Sequence, residues 1–281
     1  MADGVAVSGD GSAQAGMGIA CADLNRDGLL DLYVTNFYLE VNTLYVNQGN
    51  LLFNDRTRSA HLDVPTKPML GFGTQAVDLD ADGNPELFVA NGHINDNRRR
   101  GEPWKMPPQL FYNLGNTEFS EISTECGPYF HEQCLGRGVA KGDWNRDGRE
   151  DLVVVHQDRP AALLLNRTRG GGNWLGFQFH GIQSNRDAIG VKVKVTCGDR
   201  IFVHELCGGD GFFASNQRLV LVGIGSASQA DRVEVVWPSG THSAWTNVPG
   251  NTSWILREGN SKAVLAGGRA WGKDLGESPS P

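Results

Sequence analysis

Three stretches decide how the chain reads: Asp23-Leu-Asn-Arg-Asp-Gly-Leu-Leu-Asp31, Asp78-Leu-Asp-Ala-Asp-Gly-Asn-Pro-Glu86 and Asp143-Trp-Asn-Arg-Asp-Gly-Arg-Glu-Asp151. They are one pattern repeated, with Asp at positions 1 and 5, Asp or Asn at 3, Gly at 6 and a carboxylate at 9. A G-x-G segment precedes each copy: Gly16-Met-Gly18, Gly71-Phe-Gly73 and Gly136-Arg-Gly138. An apolar run with strand character follows each: Leu32-Tyr-Val34, Leu87-Phe-Val89 and Leu152-Val-Val154. Next come Leu44-Tyr-Val-Asn47, Leu110-Phe-Tyr-Asn113 and Leu163-Leu-Leu-Asn166. In the first two copies a Gly-Asn turn then leads to a strand ending at Phe53 or Phe119. Each unit therefore reads as an antiparallel sheet of about four strands, the blade-like module of a propeller.

Oxygen ligands at positions 1, 3, 5, 7 and 9 of a tight loop suit a hard cation, and Gly28, Gly83 and Gly148 supply the sharp turn. The candidate ligands are Asp23, Asn25, Asp27, the Leu29 carbonyl and Asp31 in loop one. In loop two they are Asp78, Asp80, Asp82, the Asn84 carbonyl and Glu86. In loop three they are Asp143, Asn145, Asp147, the Arg149 carbonyl and Asp151. This is calcium chemistry, with about three sites expected. Magnesium demands stricter octahedral geometry, and zinc would want His or Cys. An EF-hand is excluded because its twelfth position would be Val34, Val89 or Val154, each inside a strand-like run. Metal-free Asx turns are the plainer reading of any single copy. Three copies at one spacing favour the ion. Loop two carries four carboxylates and is expected to bind tightest, and three divalent ions would nearly cancel the formal charge of −7.

That acidic balance, 25 Lys and Arg against 32 Asp and Glu, argues against a nucleic-acid partner. No uninterrupted apolar run approaches the ~18–20 residues of a membrane-spanning helix. The 37 glycines among 281 residues are close to twice the usual share of about 7%. They follow no collagen triplet. From Asn173 to Leu256 the pattern changes to short alternating strands with Gly, Asn and Asp turns. Examples are Leu175–Phe179, Val191–Thr196, Ile201–Leu206, Leu219–Val222 and Val233–Trp237, and the whole reads as one β-sandwich-like domain. The expected class is thus all-β, a partial propeller of about three blades followed by a sandwich. Residues 1–16 read as the remnant of a preceding blade, 17–169 as the repeats, 173–258 as the second domain and 259–281 as a disordered tail.

The acidic loops and their L-x-V strands resemble FG-GAP (VCBS-type) repeats, the calcium-binding blades also found in integrin alpha-chain heads. Downstream, Asn173-Trp-Leu175, Ser184-Asn-Arg-Asp-Ala-Ile-Gly190-Val-Lys-Val193, Gly223-Ile-Gly225 and Val235-Val-Trp-Pro-Ser-Gly240 resemble the ASPIC/UnbV domain. Val191 and Val222-Gly-Ile-Gly225 depart from that domain's usual residues as conservative packing changes. The resemblance spans about residues 15–258 and implies a calcium-binding protein of extracellular, periplasmic or cell-surface location. Family members usually carry more repeats, and a closed propeller needs about four to eight blades. The chain therefore looks like the C-terminal portion of a longer protein, or a reading frame begun too late, and an open arc would expose a sheet face. Met1 to Gly16 has no basic or apolar segment of a secretory signal, which fits that explanation.

Repeat two is lengthened by Ile94 to Pro108, which holds Arg98, Arg99, Arg100 and Trp104. Two readings stand side by side: a partner-binding loop, or a solvated excursion packing Trp104 onto its blade. Asn185, Arg186 and Asp187 offer a polar site or a hydrogen-bonded turn, and the turn is favoured. Cys126 and Cys134 flank one short loop and could bridge, whereas a turn at Gly198-Asp199 sets Cys197 opposite Arg200. His131-Glu-Gln-Cys-Leu135 has Leu135 where a zinc protease needs its second His, and the G-x-G-x-x-A runs lead into acidic loops instead of helices. His93 is expected to pack its loop or make a backbone hydrogen bond. No catalytic constellation emerges. The expected function is a calcium-stabilised, non-catalytic binding or adhesion module with a protein or glycan partner. The alternatives are an accessory factor or enzyme of enediyne-type secondary metabolism, which a pocket shared by blade and sandwich would favour, and a structural spacer.

Overall fold

The computed structural model describes residues 4–260 and 262–266. The protein is all-β, with five small sheets among the described residues. The first holds β1 (Ile19–Ala22), β2 (Asp31–Val34), β3 (Thr43–Asn47) and β4 (Phe53–Asp55) in sequential order. The second repeats this with β5 (Gly71–Val77), β6 (Glu86–Asn91), β7 (Gln109–Gly115) and β8 (Glu118–Glu121). The third has only β9 (Gly136–Gly142), β10 (Asp151–His156) and β11 (Ala162–Leu164), fewer than the four strands expected. After Asn166 the third repeat lacks the Gly-Asn turn that returns the chain in the other two. Each acidic loop closes the first hairpin of its sheet. The residue before the first Asp faces the ninth position in every copy: Ala22 with Asp31, Val77 with Glu86, Gly142 with Asp151.

The sheets stack through alternate side chains. Tyr33 and Leu44 face the second sheet, where they meet Leu87, Val89 and Phe111. Phe88 and Leu110 point the other way, to Leu152 and Val154 of the third. Their inner strands run side by side, β1 against β5 and β5 against β9. The second glycine of each G-x-G permits this approach. A Cβ on Gly18 would lie 2.2 Å from the Phe72 carbonyl, and one on Gly73 would lie 2.3 Å from that of Arg137. Side chains at these positions would push the inner strands apart.

The remaining sheets have crossing connections. One orders β15 (Val220–Gly225), β12 (Asn173–His180), β18 (Thr252–Arg257) and β19 (Val264–Leu265), with β12 and β18 parallel. The other orders β14 (Arg200–Glu205), β13 (Lys192–Cys197), β16 (Gln229–Val236) and β17 (His242–Pro249). Together they enclose one core of Leu175, Phe177, Val193, Val195, Val222, Val233, Val235 and Trp237, each at most 1% exposed. β17 and β18 lie within residues 173–258, the stretch read as the second domain, without being among the segments singled out there. β19 lies within the stretch expected to be disordered and pairs with Trp254–Ile255, and residues 261 and 267–281 of that stretch fall outside the described residues.

A strap from the second region, residues 208–217, bridges the inner strands β1, β5 and β9, while the outer face of the third sheet, with Val153 and Leu163, is exposed as the open-arc reading expects. Gly211 exchanges two backbone hydrogen bonds with Ile19, and Gln217 donates to the Lys141 carbonyl. Asn216 reaches both Gln75 and the Lys141 amide. Residues 4–16, within the stretch read as the remnant of a preceding blade, hold no strand. They lie along the first sheet, where Gly9 N donates to Asp55 and the Tyr45 hydroxyl donates to the Val7 carbonyl. The Cys126–Cys134 bridge is also absent. Both thiols are free, Cys126 donating to the Ile122 carbonyl and Cys134 to that of Met106. Cys197 does pair with Arg200.

Candidate metal centre

The three acidic loops share one backbone. Position 4 is left-handed in each (Arg26 at φ 62°, Ala81 at 56°, Arg146 at 62°), and Gly28, Gly83 and Gly148 follow at 86°, 86° and 82°. The first Asp folds over the turn: Gly28 N donates to Asp23 Oδ2 at 2.9 Å, Gly83 N to Asp78 Oδ2 at 3.0 Å and Gly148 N to Asp143 Oδ2 at 2.9 Å. Positions 3 and 5 accept from the amides two residues on, so Asn25, Asp80 and Asn145 receive Asp27, Asp82 and Asp147. Asp27, Asp82 and Asp147 receive the amides of Leu29, Asn84 and Arg149 in turn.

The ninth position separates the loops. Asp31 accepts Leu24 N on one oxygen and Asn47 N on the other. Asp151 does the same with Trp144 N and Asn166 N. Both act as pins between loop and sheet. Glu86 accepts Leu79 N at 2.8 Å on Oε2, but its Oε1 is buried without a partner. One methylene longer than Asp, it reaches inward. Asp78, Asp80 and Glu86 bring oxygens within 4.8 Å of one another, the single such trio among the described residues. Asp82 turns aside to the Asn84 amide at 2.8 Å. In loop three the Arg149 guanidinium pairs with Asp147, whereas loops one and two carry Leu29 and Asn84 at that position.

Burial is costly for these charges. It pushes the Asp78 carboxyl up to about 8, with Glu150, Asp82 and Asp80 adding to the effect. Burial pushes Glu86 up to about 9 despite the Leu79 amide. Asp31 rises to about 7, and Asp23 and Asp143 rise for the same first reason. Crowded, desolvated carboxylates with one orphaned oxygen fit a hard divalent cation, which would replace the missing counter-charge.

Loop two is also the joint to the second region. Its successive carbonyls are claimed one by one: Asp80 O by Gly172 N at 2.6 Å, Ala81 O by Gly225 N at 2.9 Å, and Asp82 O by the Arg200 guanidinium. Phe202 and Gly223 cover Gly83. Arg200 and Phe202 carried no signal in the sequence, but the glycines of Gly223-Ile-Gly225 did.

The insertion of repeat two is ordered. Its Trp104 is half-buried, and its carbonyl accepts His93 N at 2.8 Å. The Arg98 guanidinium lies 5.0 Å from the Trp104 ring and pairs with Asp96, while Arg98, Arg99 and Arg100 are exposed. His93 packs against Phe37 and Tyr38 and accepts Asn95 N, the loop-packing role expected of it. Asn185 closes a turn by bonding both backbone groups of Ile189. A cavity of about 80 Å³ lies where strap, sheets and second region meet, lined by Lys141, Glu150, His204 and Asp210 among others.

An FG-GAP-like repeat family matches residues 23–89 and again 78–154, and the ASPIC and UnbV family matches 181–263. The chain is an FG-GAP repeat protein with an ASPIC/UnbV domain. The FG-GAP matches take in all three acidic loops, and the ASPIC/UnbV match takes in Gly223 and Gly225 beside loop two. This FG-GAP protein is homologous to cartilage acidic protein 1. It is 26% identical to the Xenopus tropicalis protein over 81% of this chain and 34% of the relative. The human protein is 25% identical over 82% of this chain and 34% of its own length. The chain thus spans about a third of the relatives it matches. Among its described residues no helix is long and apolar enough to cross a membrane.

Proposed function

We propose that this chain is a calcium-stabilised, non-catalytic binding module that works outside the cytoplasm. Its first three sheets act as propeller blades and its last two as a sandwich docked on their acidic loops. The observation that carries the reading is the buried, unpartnered Oε1 of Glu86 beside Asp78 and Asp80. Calcium binds first there; loops one and three, whose ninth carboxylates are fully engaged, take ions more weakly. The ion stiffens the joint that holds the two regions together. The blade loops, with Arg98, Arg99, Arg100 and Trp104 among them, then face a protein or glycan partner. The extracytoplasmic placement rests on the relationship to cartilage acidic protein 1.

The test is calorimetric titration with calcium, together with melting curves in calcium and in chelator, on wild type and Glu86→Gln. The expected result is a melting rise with calcium that the variant loses. Absence of binding, with an unchanged cooperative melt, would leave the loops as turns and defeat the proposal.

A further inference from the structure

Loop two differs from its neighbours at position 3 as well as at position 9. In loops one and three position 3 is asparagine, and its side chain is spent inside the loop. Asn25 donates to Asp27 Oδ2 at 2.9 Å while accepting the Asp27 amide, and Asn145 treats Asp147 in the same way. Asp80 has no such hydrogen to give. In loop two the Asn84 side chain serves Asp82 instead, and Asp80 Oδ2 takes a partner from outside the loop. That partner is Tyr112, whose hydroxyl donates to it at 3.0 Å. Tyr112 stands half-buried on β7, opposite Ser120. Its place is taken by Val46 in the first repeat and by Leu165 in the third, and neither can make the bond. The repeat whose ninth carboxylate keeps a buried, unpartnered oxygen is therefore also the one whose third carboxylate is tied by a tyrosine.

We propose that Tyr112 is a positioning residue of the loop-two cation site, holding Asp80 beside Asp78 and Glu86 and thereby making this site the tightest of the three. The inference rests on the calcium reading above and adds what sets the order of affinities. A carboxylate oxygen has two lone pairs, so Asp80 Oδ2 can keep the phenol on one and offer the other to a cation. Asp80 Oδ1 accepts the Asp82 amide at 3.2 Å, so with Tyr112 both oxygens are tied and the carboxyl group is held in one orientation. A ligand fixed before the ion arrives loses little freedom on binding it. The other two gathered carboxylates are steadied by backbone: Asp78 accepts the Asp82 and Gly83 amides, and Glu86 accepts that of Leu79. The Asp78 amide is itself braced from the third repeat, donating to Glu150 Oε2, while Glu150 Oε1 pairs with Lys141. Asp80 thus depends on a side chain where its companions depend on main chain, and one substitution removes that support.

Calorimetric titration of the full chain with calcium, on wild type and Tyr112→Phe, reads the affinity. The variant is expected to bind its first ion roughly 10- to 100-fold more weakly, the usual weight of a partner that orients a metal ligand, with later ions unchanged. The second readout is ultraviolet. Among the described residues Tyr112 is the one tyrosine whose hydroxyl bonds a carboxylate. A cation drawing on Asp80 weakens the charge that the phenol faces, so calcium should shift the tyrosine band of wild type, saturating with the first ion. Tyr112→Phe should lose that shift, and should the variant misfold, the wild-type shift alone decides. A wild type that binds no calcium defeats the calcium reading and this inference together. A wild type that binds, beside a variant that binds equally or more tightly, overturns this inference alone. So does a first ion that leaves the wild-type tyrosine band unmoved.

Discussion

Gly223 lies directly against the Asp78 carboxylate: a Cβ at 223 would come within 2.0 Å of Asp78 Oδ2. The first ligand position of loop two and a glycine of the second region therefore share one small space. Gly223→Ala must displace one of them. Overpacking of this kind costs about 1–3 kcal/mol. Thermal melts should show that loss, and calorimetry should show weaker calcium binding with loops one and three unaffected.

Protons and calcium should compete at loop two. Asp78 and Glu86 sit at about 8 and 9, above ordinary carboxylates because they are buried. Folded values raised above unfolded ones contribute stability that is present below pH ~4 and lost as pH rises through those values. Each group can contribute up to about 1.4 kcal/mol per pH unit across that window. In chelator the melting temperature should therefore be eroded by these groups between pH 5 and 9, relative to Glu86→Gln. Saturating calcium should remove the difference, so the gap between calcium and chelator melts widens with pH.

Glu258 should behave in the opposite sense. Burial alone would raise its carboxyl, but donors from Ser239, Ser184 and Ile182 overcome this and hold it well below the usual range. Three successive amides, Ile182, Gln183 and Ser184, converge on one oxygen at 2.6, 2.8 and 2.8 Å. Glu258→Gln is expected to cost about 2 kcal/mol at neutral pH, since hydrogen bonds to a charged acceptor are the stronger kind. A depressed folded value contributes stability above the unfolded one, so the deficit should shrink only in strong acid. Denaturant melts of both proteins at several pH values check this.

The thiols give a simple chemical check. All five cysteines are free, so intact mass should be the same with and without reductant. Burial raises Cys21 to about 12, with Cys207 adding to it. Alkylation of Cys21 in the folded protein should be far slower than in denaturant.

Much of this molecule was legible in advance because its information is local and repeated. A Gly at position 6 of an acidic loop, flanked by period-2 apolar runs, specifies a hairpin, and three copies specify three sheets. The G-x-G glycines were visible, but that they let the inner strands approach side by side emerged only from the structure. The loop-two centre was half legible: the carboxylates were plain, but the sequence does not say that Glu86 turns inward while Asp31 and Asp151 are spent on backbone amides. That distinction depends on one methylene and on where Asn47 N and Asn166 N fall across the sheet.

By itself, then, the sequence determined the all-β class, the three acidic-loop hairpins and the change of pattern near residue 170, all set by contacts between near neighbours. Only the tertiary structure decided that residues 208–217 bridge the inner strands, that Arg200, Gly223 and Gly225 lie against loop two, and that Val153 and Leu163 are left uncovered. Those outcomes depend on backbone groups far apart in the chain meeting in space, and a carbonyl or amide carries no side-chain signature of its distant partner.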